Sequence, residues 1–179
     1  MFDFHTHNLN APAGTAIINL PREAMLQPEG FAWREGALYS AGIHPWWTDD
    51  AEACRTMLAN LRAIDTLPQV VAIGECGFDR LRGDIYLQET LFAEQIAISE
   101  DVHKPVTIHC VRAFDKLLAA YKEQRPTQKW TVHGFRGRPT LAQQLLDAGL
   151  DLSYGSHYNA ESLAQTPPDR LHRETDEDF

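Results

Sequence analysis

The chain lacks several features that would assign it to a specialised class of protein. No apolar run approaches the roughly 20 residues that a membrane-spanning helix needs, and no charged and then apolar leader precedes the first predicted strand. We therefore expect no membrane partner. Internal repeats, low-complexity tracts and interdomain linkers are also missing, so the sequence predicts a single domain over residues 1–179.

Cysteine is scarce. The three cysteines, Cys54, Cys76 and Cys110, are an odd number and have no paired-knuckle spacing. This argues against a disulfide framework and against a cysteine zinc site, and it is typical of a reducing cytosol. We expect a cytoplasmic protein.

Positive charge is also in deficit. Lysine and arginine number 16 against 25 aspartates and glutamates, which gives a formal net charge of −9. A protein that grips long duplex DNA along its surface normally carries a basic stripe. Any nucleic-acid contact is therefore expected to be local, around a site rather than along a face.

The sequence does contain short apolar runs, rich in β-forming residues, that alternate with amphipathic stretches. Such alternation predicts a parallel sheet covered by helices. Eight strand candidates favour a (β/α)8 barrel of the TIM type, with a doubly wound open sheet as the alternative. The strand candidates are residues 2–5, 15–20, 37–43, 70–75, 106–109, 130–135, 150–155 and 169–175, and the main helix candidates are residues 49–64, 88–102, 113–124 and 138–149.

The length of the chain conflicts with a complete barrel. Such barrels typically have about 250 residues. Residues 8–14, "NLNAPAG", are too few and too rich in proline and glycine for a crossover helix, and only a few residues follow the last strand candidate. The first and last shell helices are therefore predicted to be absent, and the second connection, residues 21–36, is predicted to be irregular.

The two missing helices would be neighbours in a closed barrel, so their absence would leave an apolar sector uncovered. Exposed apolar surface of that size usually marks an interface, and we expect the chain to self-associate there. The alternative is a fragment or degraded copy in which Asp176 is weakly held.

The opening "MFDFHTHN" contains two histidines one residue apart. If Phe2 to His7 is a strand, His5 and His7 point to the same face, about 7 Å apart. Two imidazoles at that separation can share one metal ion. The alternative is a terminal strand with two solvent-exposed histidines.

Five strand candidates carry a metal-capable residue at or just past their C-terminal end, and in a barrel these ends open onto one face. Four imidazoles and two carboxylates fit one or two divalent ions. Zn, Mn, Fe, Ni and Mg are the candidates, and Mg alone fits least well because it prefers oxygen ligands. The residues are His5, His7, Glu75, His109, His133 and Asp176.

Each of these residues also has a structural interpretation. Histidines at strand ends can be held by hydrogen bonds, a glutamate after "AIG" can be a loop residue, and Asp176 lies in an acidic tail. Cys76 and Cys110 each follow a proposed ligand, so they point the other way and are interpreted as small buried hydrophobes.

Taken in order, "FDFHTH", "GIHP", "AIGECGFD", "IHCVRAF", "HGFRGRP" and "RETD" resemble the TatD-related metal-dependent deoxyribonucleases of the amidohydrolase superfamily. The resemblance extends from the first residues almost to the last. It implies a distorted (β/α)8 barrel with a dinuclear site that hydrolyses phosphodiester bonds, often at DNA ends. By motif, one metal ion would be held by His5, His7 and Asp176 and the other by His109 and His133, with Glu75 bridging.

The resemblance also implies substrate contacts. His44 matches a family histidine near the substrate phosphate, and Arg112 matches a family arginine beside the same site. Asp176 would accept the proton of a metal-activated water, and Glu75 would bridge the metal ions. These two are the proposed catalytic residues. Arg136 and Arg138 also follow a ligand strand and are either phosphate contacts or ordinary loop residues.

One departure from the family lies beside "GIHP". The family often continues with another histidine, whereas this chain has Trp46 and Trp47. These indoles either stack on a base or pack in the core.

Other functions remain open at the level of sequence. An amidohydrolase acting on C–N or ester bonds of a small substrate would use the same chemistry, although a bridging lysine would favour it and this chain has Glu75. A PHP-type phosphoesterase would need further early histidine or aspartate ligands. The third alternative is a catalytically degenerate, metal-stabilised interaction protein.

Overall fold

A computed structural model of the chain describes residues 1–176 and contains one sheet of eight parallel strands. Their order in the sheet follows the chain, which confirms the barrel and excludes a doubly wound sheet, in which the strand order reverses. The strands are β1 Asp3–Thr6, β2 Ala16–Asn19, β3 Leu38–Ala41, β4 Val70–Asp79, β5 Val106–Val111, β6 Trp130–Val132, β7 Asp151–Tyr154 and β8 Leu171–Arg173.

Helices connect the strands from β2 onward. None of them, within residues 1–176, is long and apolar enough to cross a lipid bilayer. The four main predicted helices are confirmed, with boundaries that shift by up to three residues. The helices are α1 Arg22–Leu26, α2 Ala51–Ile64, α3 Ile85–Val102, α4 Phe114–Gln124, α5 Pro139–Ala148 and α6 Ala160–Gln165.

Local capping explains several helix ends. The Asp50 carboxylate accepts a hydrogen bond from the Ala53 amide at the start of α2 (2.9 Å). Gly149 ends α5 with φ 117°, in the region where glycine has no steric penalty. The short helix α6 was not predicted, although Asn159 caps it through the Ser162 amide (3.0 Å) and is its sequence signal.

Within residues 1–176, the predicted absence of the first shell helix is confirmed, because no helix lies between β1 and β2. The predicted absence of a helix after β8 lies outside the described residues. The second connection holds only the short α1 and a single 3-10 turn at Pro28–Gly30, so its predicted irregularity is also confirmed.

Hydrogen bonds of side chains and of the backbone join β1 to the segment after β8. The Asp3 carboxylate accepts hydrogen bonds from the Thr175 amide (3.0 Å) and hydroxyl (2.6 Å). The Asp176 amide donates to the His5 carbonyl (3.1 Å). The barrel is therefore nearly closed, and Asp176 is tied directly to the first strand.

The longest strand, β4, runs for ten residues and carries Glu75 between two unusual glycines. Gly74 and Gly77 have φ values of 131° and 139°, and a Cβ at either position would clash with a backbone carbonyl of β5. The close approach requires glycine at both positions. It places Glu75 directly beside His109 on β5.

The three cysteines are free thiols, as the sequence predicts. Cys54 and Cys76 are buried, and Cys110 is half-buried. Burial raises the pKa of Cys54 to about 11 and that of Cys110 to about 12, so both thiols stay protonated at neutral pH.

Candidate metal centre

The six predicted metal ligands meet at one end of the barrel, around the carboxylate of Glu75. His5 and His109 lie near the ends of β1 and β5, and His133 directly follows β6. His7 and Asp176 lie just beyond the ends of β1 and β8. The strand ends thus bring together residues that are far apart in sequence, as expected for the C-terminal face of a barrel.

The imidazoles of His5 and His7 converge on one oxygen of Glu75 and one of Asp176. The Nε2 atoms of His5 and His7 are 3.3 Å apart. They lie 3.4 and 3.5 Å from Glu75 Oε2, and both lie 3.8 Å from Asp176 Oδ1. In a tetrahedral zinc site, ligand atoms are separated by about 3.3–3.4 Å, a distance that follows from Zn–N bonds of about 2.0–2.1 Å.

The same Glu75 oxygen supplies an independent test of whether a metal ion fits. Glu75 Oε2 is buried and has no hydrogen-bond donor among residues 1–176. Leaving a buried carboxylate oxygen without a partner is unfavourable. Imidazole nitrogen and carboxylate oxygen are ligands for Zn, Mn and Fe, so a divalent cation between these atoms fits the donor set.

The second oxygen of Glu75 faces three imidazoles. Oε1 lies 2.7 Å from His133 Nε2, 2.9 Å from His109 Nδ1 and 3.0 Å from His44 Nε2. One carboxylate therefore has imidazoles next to both of its oxygens. This arrangement allows a bridging role for Glu75, which stays a prediction.

The hydrogen bonds of His44 give it a different role from that of the other histidines. Its Nδ1 accepts a hydrogen bond from the Trp46 amide (3.0 Å), so the proton of the neutral ring is on Nε2. Burial lowers the pKa of His44 and keeps the ring neutral at neutral pH. His44 therefore presents an N–H donor, 3.0 Å from Glu75 Oε1, rather than a metal-binding lone pair. Its substrate-contacting role stays a prediction.

At the centre of the site, burial and charge pairing shift the pKa values of Glu75 and His133 in opposite directions. Burial disfavours the ionised form of Glu75, but the charge of His133 and a hydrogen bond from His109 outweigh it, and the pKa of the carboxyl is well below its usual range. Burial likewise lowers the pKa of His133, yet the Glu75 carboxylate raises it well above the ordinary value. Without a metal ion, these two groups form a charged pair.

Sequence reasoning missed two carboxylates that lie behind the candidate ligands. Asp79 Oδ2 is 3.1 Å from Nε2 of His109, and Glu174 Oε1 is 3.5 Å from Nδ1 of His133. Metal-binding histidines commonly direct their second nitrogen at such a carboxylate, which fixes the ring orientation.

These two carboxylates are themselves held in place. Burial opposes ionisation of Asp79, but hydrogen bonds from His109, Trp46 and the Leu81 amide lower its pKa to about 2. Glu174 accepts hydrogen bonds from the Gly134 amide (2.6 Å) and from the Ser153 hydroxyl. Both outer carboxylates are therefore ionised and fixed.

A cavity of about 680 Å³ lies above the ligands. Arg112 lines it, as predicted, and so does Arg136. Arg138 does not line the cavity. It precedes α5, and its carbonyl accepts hydrogen bonds from backbone amides in the first turn of that helix. Arg22, from the irregular second connection, also lines the cavity and was not predicted from the sequence.

Comparison with known proteins identifies the family of the chain. The family model described as TatD related DNase matches residues 30–178. The chain belongs to this family. Its sequence is similar to that of the 3'-5' ssDNA/RNA exonuclease TatD of Musicola paradisiaca, with 35% identity over 164 residues. The corresponding enzyme of Klebsiella pneumoniae is 34% identical over 177 residues.

The alignments cover different shares of the two chains. They include 82% and 88% of this chain but only 57% and 63% of the two relatives, so the chain spans about three fifths of the length of these relatives. A TatD homologue from Escherichia coli K12 has a similar structure, with a TM-score of 0.78 and 23% identity over 98% of this chain and 78% of the homologue. That similarity confirms the fold.

Proposed function

We propose that this chain is a metal-dependent phosphodiesterase, a TatD-like deoxyribonuclease that acts on DNA ends or short single strands. One observation carries the proposal: imidazoles approach both oxygens of the buried Glu75 carboxylate beneath a cavity lined by arginines. Membership of the TatD-related DNase family and the exonuclease names of the relatives support it.

The proposed ligand sets follow the contacts around Glu75. His5, His7 and Asp176 would hold one divalent ion, and His109 and His133 would hold a second, with Glu75 bridging. Bound divalent ions would lower the pKa of a coordinated water and polarise a phosphoryl oxygen. The donor set suits Zn, Mn, Fe or Ni better than Mg alone.

The chain's own groups supply the other requirements of phosphodiester hydrolysis. Asp176 borders the cavity, and its carboxylate accepts the proton of the attacking water. The Nε2–H of His44, which lies 3.0 Å from Glu75 Oε1, would turn to a phosphate oxygen when substrate is bound, and Arg112 contributes a positive charge at the rim. Arg136 and Arg22 add to this local positive charge, which reconciles an anionic substrate with the net charge of −9.

A labelled single-stranded oligonucleotide tests the proposal. The protein is purified without chelator and incubated with the oligonucleotide, with and without added Mg or Mn, beside the Asp176→Ala variant. We expect metal-dependent shortening from one end that disappears in the variant. Bound metal without cleavage of any phosphodiester would instead support the amidohydrolase or the non-catalytic alternative.

Self-association through the uncovered sector is a further proposal. Phe2 and Leu9, which flank β1 in this sector, expose 47% and 40% of their surface. Light scattering at micromolar concentration tests it, and a monomer would contradict it. The cytoplasmic location also stays a prediction from the cysteine content.

A further inference from the structure

Trp46 is an aromatic residue that the proposed chemistry does not use, and it lies at the rim of the candidate site. It lines the cavity and exposes 42% of its surface, whereas the core indole of Trp130 is fully buried. Its ring centroid is 5.8 Å from that of His109. A large exposed apolar ring is therefore kept beside the candidate metal ligands.

Three contacts hold Trp46 in place. Its Nε1 donates a hydrogen bond to Asp79 Oδ2 (2.6 Å), and its backbone amide donates to His44 Nδ1 (3.0 Å). The guanidinium carbon of Arg82 lies 3.9 Å from the ring centroid, a cation–π contact. The ring is thus oriented before any ligand arrives, which lowers the entropic cost of binding.

The loop that carries Arg82 is equally constrained. The Asp84 amide donates to the Thr48 hydroxyl (2.8 Å), and the Leu81 amide donates to Asp79 Oδ1 (2.8 Å). A Cβ at Gly83 would clash with the Pro45 carbonyl, so this loop lies directly on the turn that carries Trp46. Trp46 and Arg82 therefore form a rigid pair at the cavity rim.

We infer that Trp46 is a nucleobase-stacking residue, which holds the base of the nucleotide whose phosphate lies over the metal ligands. The inference rests on the proposed function, because it assumes a phosphate at that position. Every nucleobase has an aromatic face, so stacking binds a strand without selecting its sequence. Arg82 keeps the indole in place and adds a positive charge near the strand.

Two monoesters, one with a nucleobase on C1 of the sugar and one with a hydroxyl there, test the inference without requiring diester cleavage. They are 2'-deoxyadenosine 5'-monophosphate and 2-deoxyribose 5-phosphate, titrated into the metal-loaded protein by calorimetry. We expect the nucleotide to bind about 5- to 150-fold more tightly, the range that one base–aromatic stack contributes. The preference should vanish in Trp46→Ala and persist in Trp46→Phe, which keeps the aromatic ring but loses the bond to Asp79.

Tyr86→Ala is the matched control, because Tyr86 is 78% exposed and does not line the cavity. It should keep the base preference. Circular dichroism establishes that each variant is folded, and Trp46→Leu replaces Trp46→Ala if the latter does not fold.

Three results would overturn the inference: equal binding of the two monoesters, a base preference that survives in Trp46→Ala, or no binding of either compound. Oligonucleotide cleavage, measured separately, distinguishes this failure from failure of the proposed function. Cleavage without base preference contradicts only the stacking role, and base preference without cleavage contradicts only the nuclease activity.

Discussion

Asp79 holds His109 from the side opposite Glu75. Asp79 Oδ2 lies 3.1 Å from His109 Nε2, while Nδ1 of the same ring lies 2.9 Å from Glu75 Oε1. Both carboxylates come from β4, at positions four residues apart that face the same side of the strand. Strand β4 therefore supplies both the candidate ligand Glu75 and Asp79, the group that orients His109.

Replacing Asp79 with asparagine should weaken metal binding without abolishing it. Loss of such an outer carboxylate typically costs about 10- to 100-fold in metal affinity, because the histidine ring loses its fixed orientation. Calorimetric titration of the metal-free protein with Zn or Mn measures the change. The control is Asp49→Asn, an exposed carboxylate in the turn before α2 that should leave the affinity unchanged. Equal affinities in the two variants would contradict the role of Asp79.

Substitution of His44 should separate substrate contact from metal binding. His44→Ala removes an N–H donor but no metal-binding lone pair, so the metal content should equal that of the unsubstituted protein. We expect kcat/KM on an oligonucleotide to fall by about 10²- to 10³-fold, the usual cost of one lost donor to a developing negative charge. Loss of metal in this variant would instead make His44 a ligand.

Metal affinity should fall as the pH is lowered. Burial lowers the pKa of both His109 and His133, but their carboxylate partners outweigh it, so the net pKa of each ring is raised and that of His133 strongly so. Metal binding needs neutral imidazoles and must release these protons, so below the raised pKa values affinity drops by about tenfold per pH unit for each proton.

Calorimetry in two buffers of different ionisation enthalpy measures the proton release directly. We expect release on binding at neutral pH and weaker binding at pH 6 than at pH 8. Glu75, whose pKa is lowered, stays ionised over this range and contributes no change. A metal affinity that does not change between pH 6 and pH 8 would contradict the prediction.

Removal of Glu174 should destabilise the fold as well as the site. Glu174→Ala leaves the Gly134 amide and the Ser153 hydroxyl without their shared acceptor. An unsatisfied buried polar group costs about 1–3 kcal/mol, and urea denaturation measures the loss. Glu123→Ala, at an exposed position on α4, is the control and should change the free energy of unfolding by less than about 0.5 kcal/mol. Equal stabilities of the two variants would show that Glu174 is not structurally required.

Much of this architecture is predictable because strand ends and ligand spacing are local features. His5 and His7 share a face at i and i+2, and the short connection after them leaves no room for a helix. The two missed carboxylates follow the same two-residue periodicity, Asp79 beyond the predicted end of its strand and Glu174 within its predicted strand. Asp79 lies four residues after Glu75, on a strand predicted to end at Glu75, and Glu174 lies two residues before Asp176.

Other contacts depend on three-dimensional packing and have no local signal. Arg22 lies three residues after the end of β2, at the barrel end that carries the cavity, but no ligand motif marks that strand in the sequence. The proton position on His44 is likewise set by the Trp46 amide, through a turn whose geometry the sequence does not specify.

If Glu75 organises a metal centre, the metal content of the purified protein depends on its carboxylate. The protein and its Glu75→Gln variant are prepared without chelator, dialysed against metal-free buffer and analysed by elemental mass spectrometry, with circular dichroism to establish folding. We expect about one to two divalent ions per chain in the unsubstituted protein and substantial loss of metal in the variant. No retained metal, or equal metal in both proteins, would contradict it.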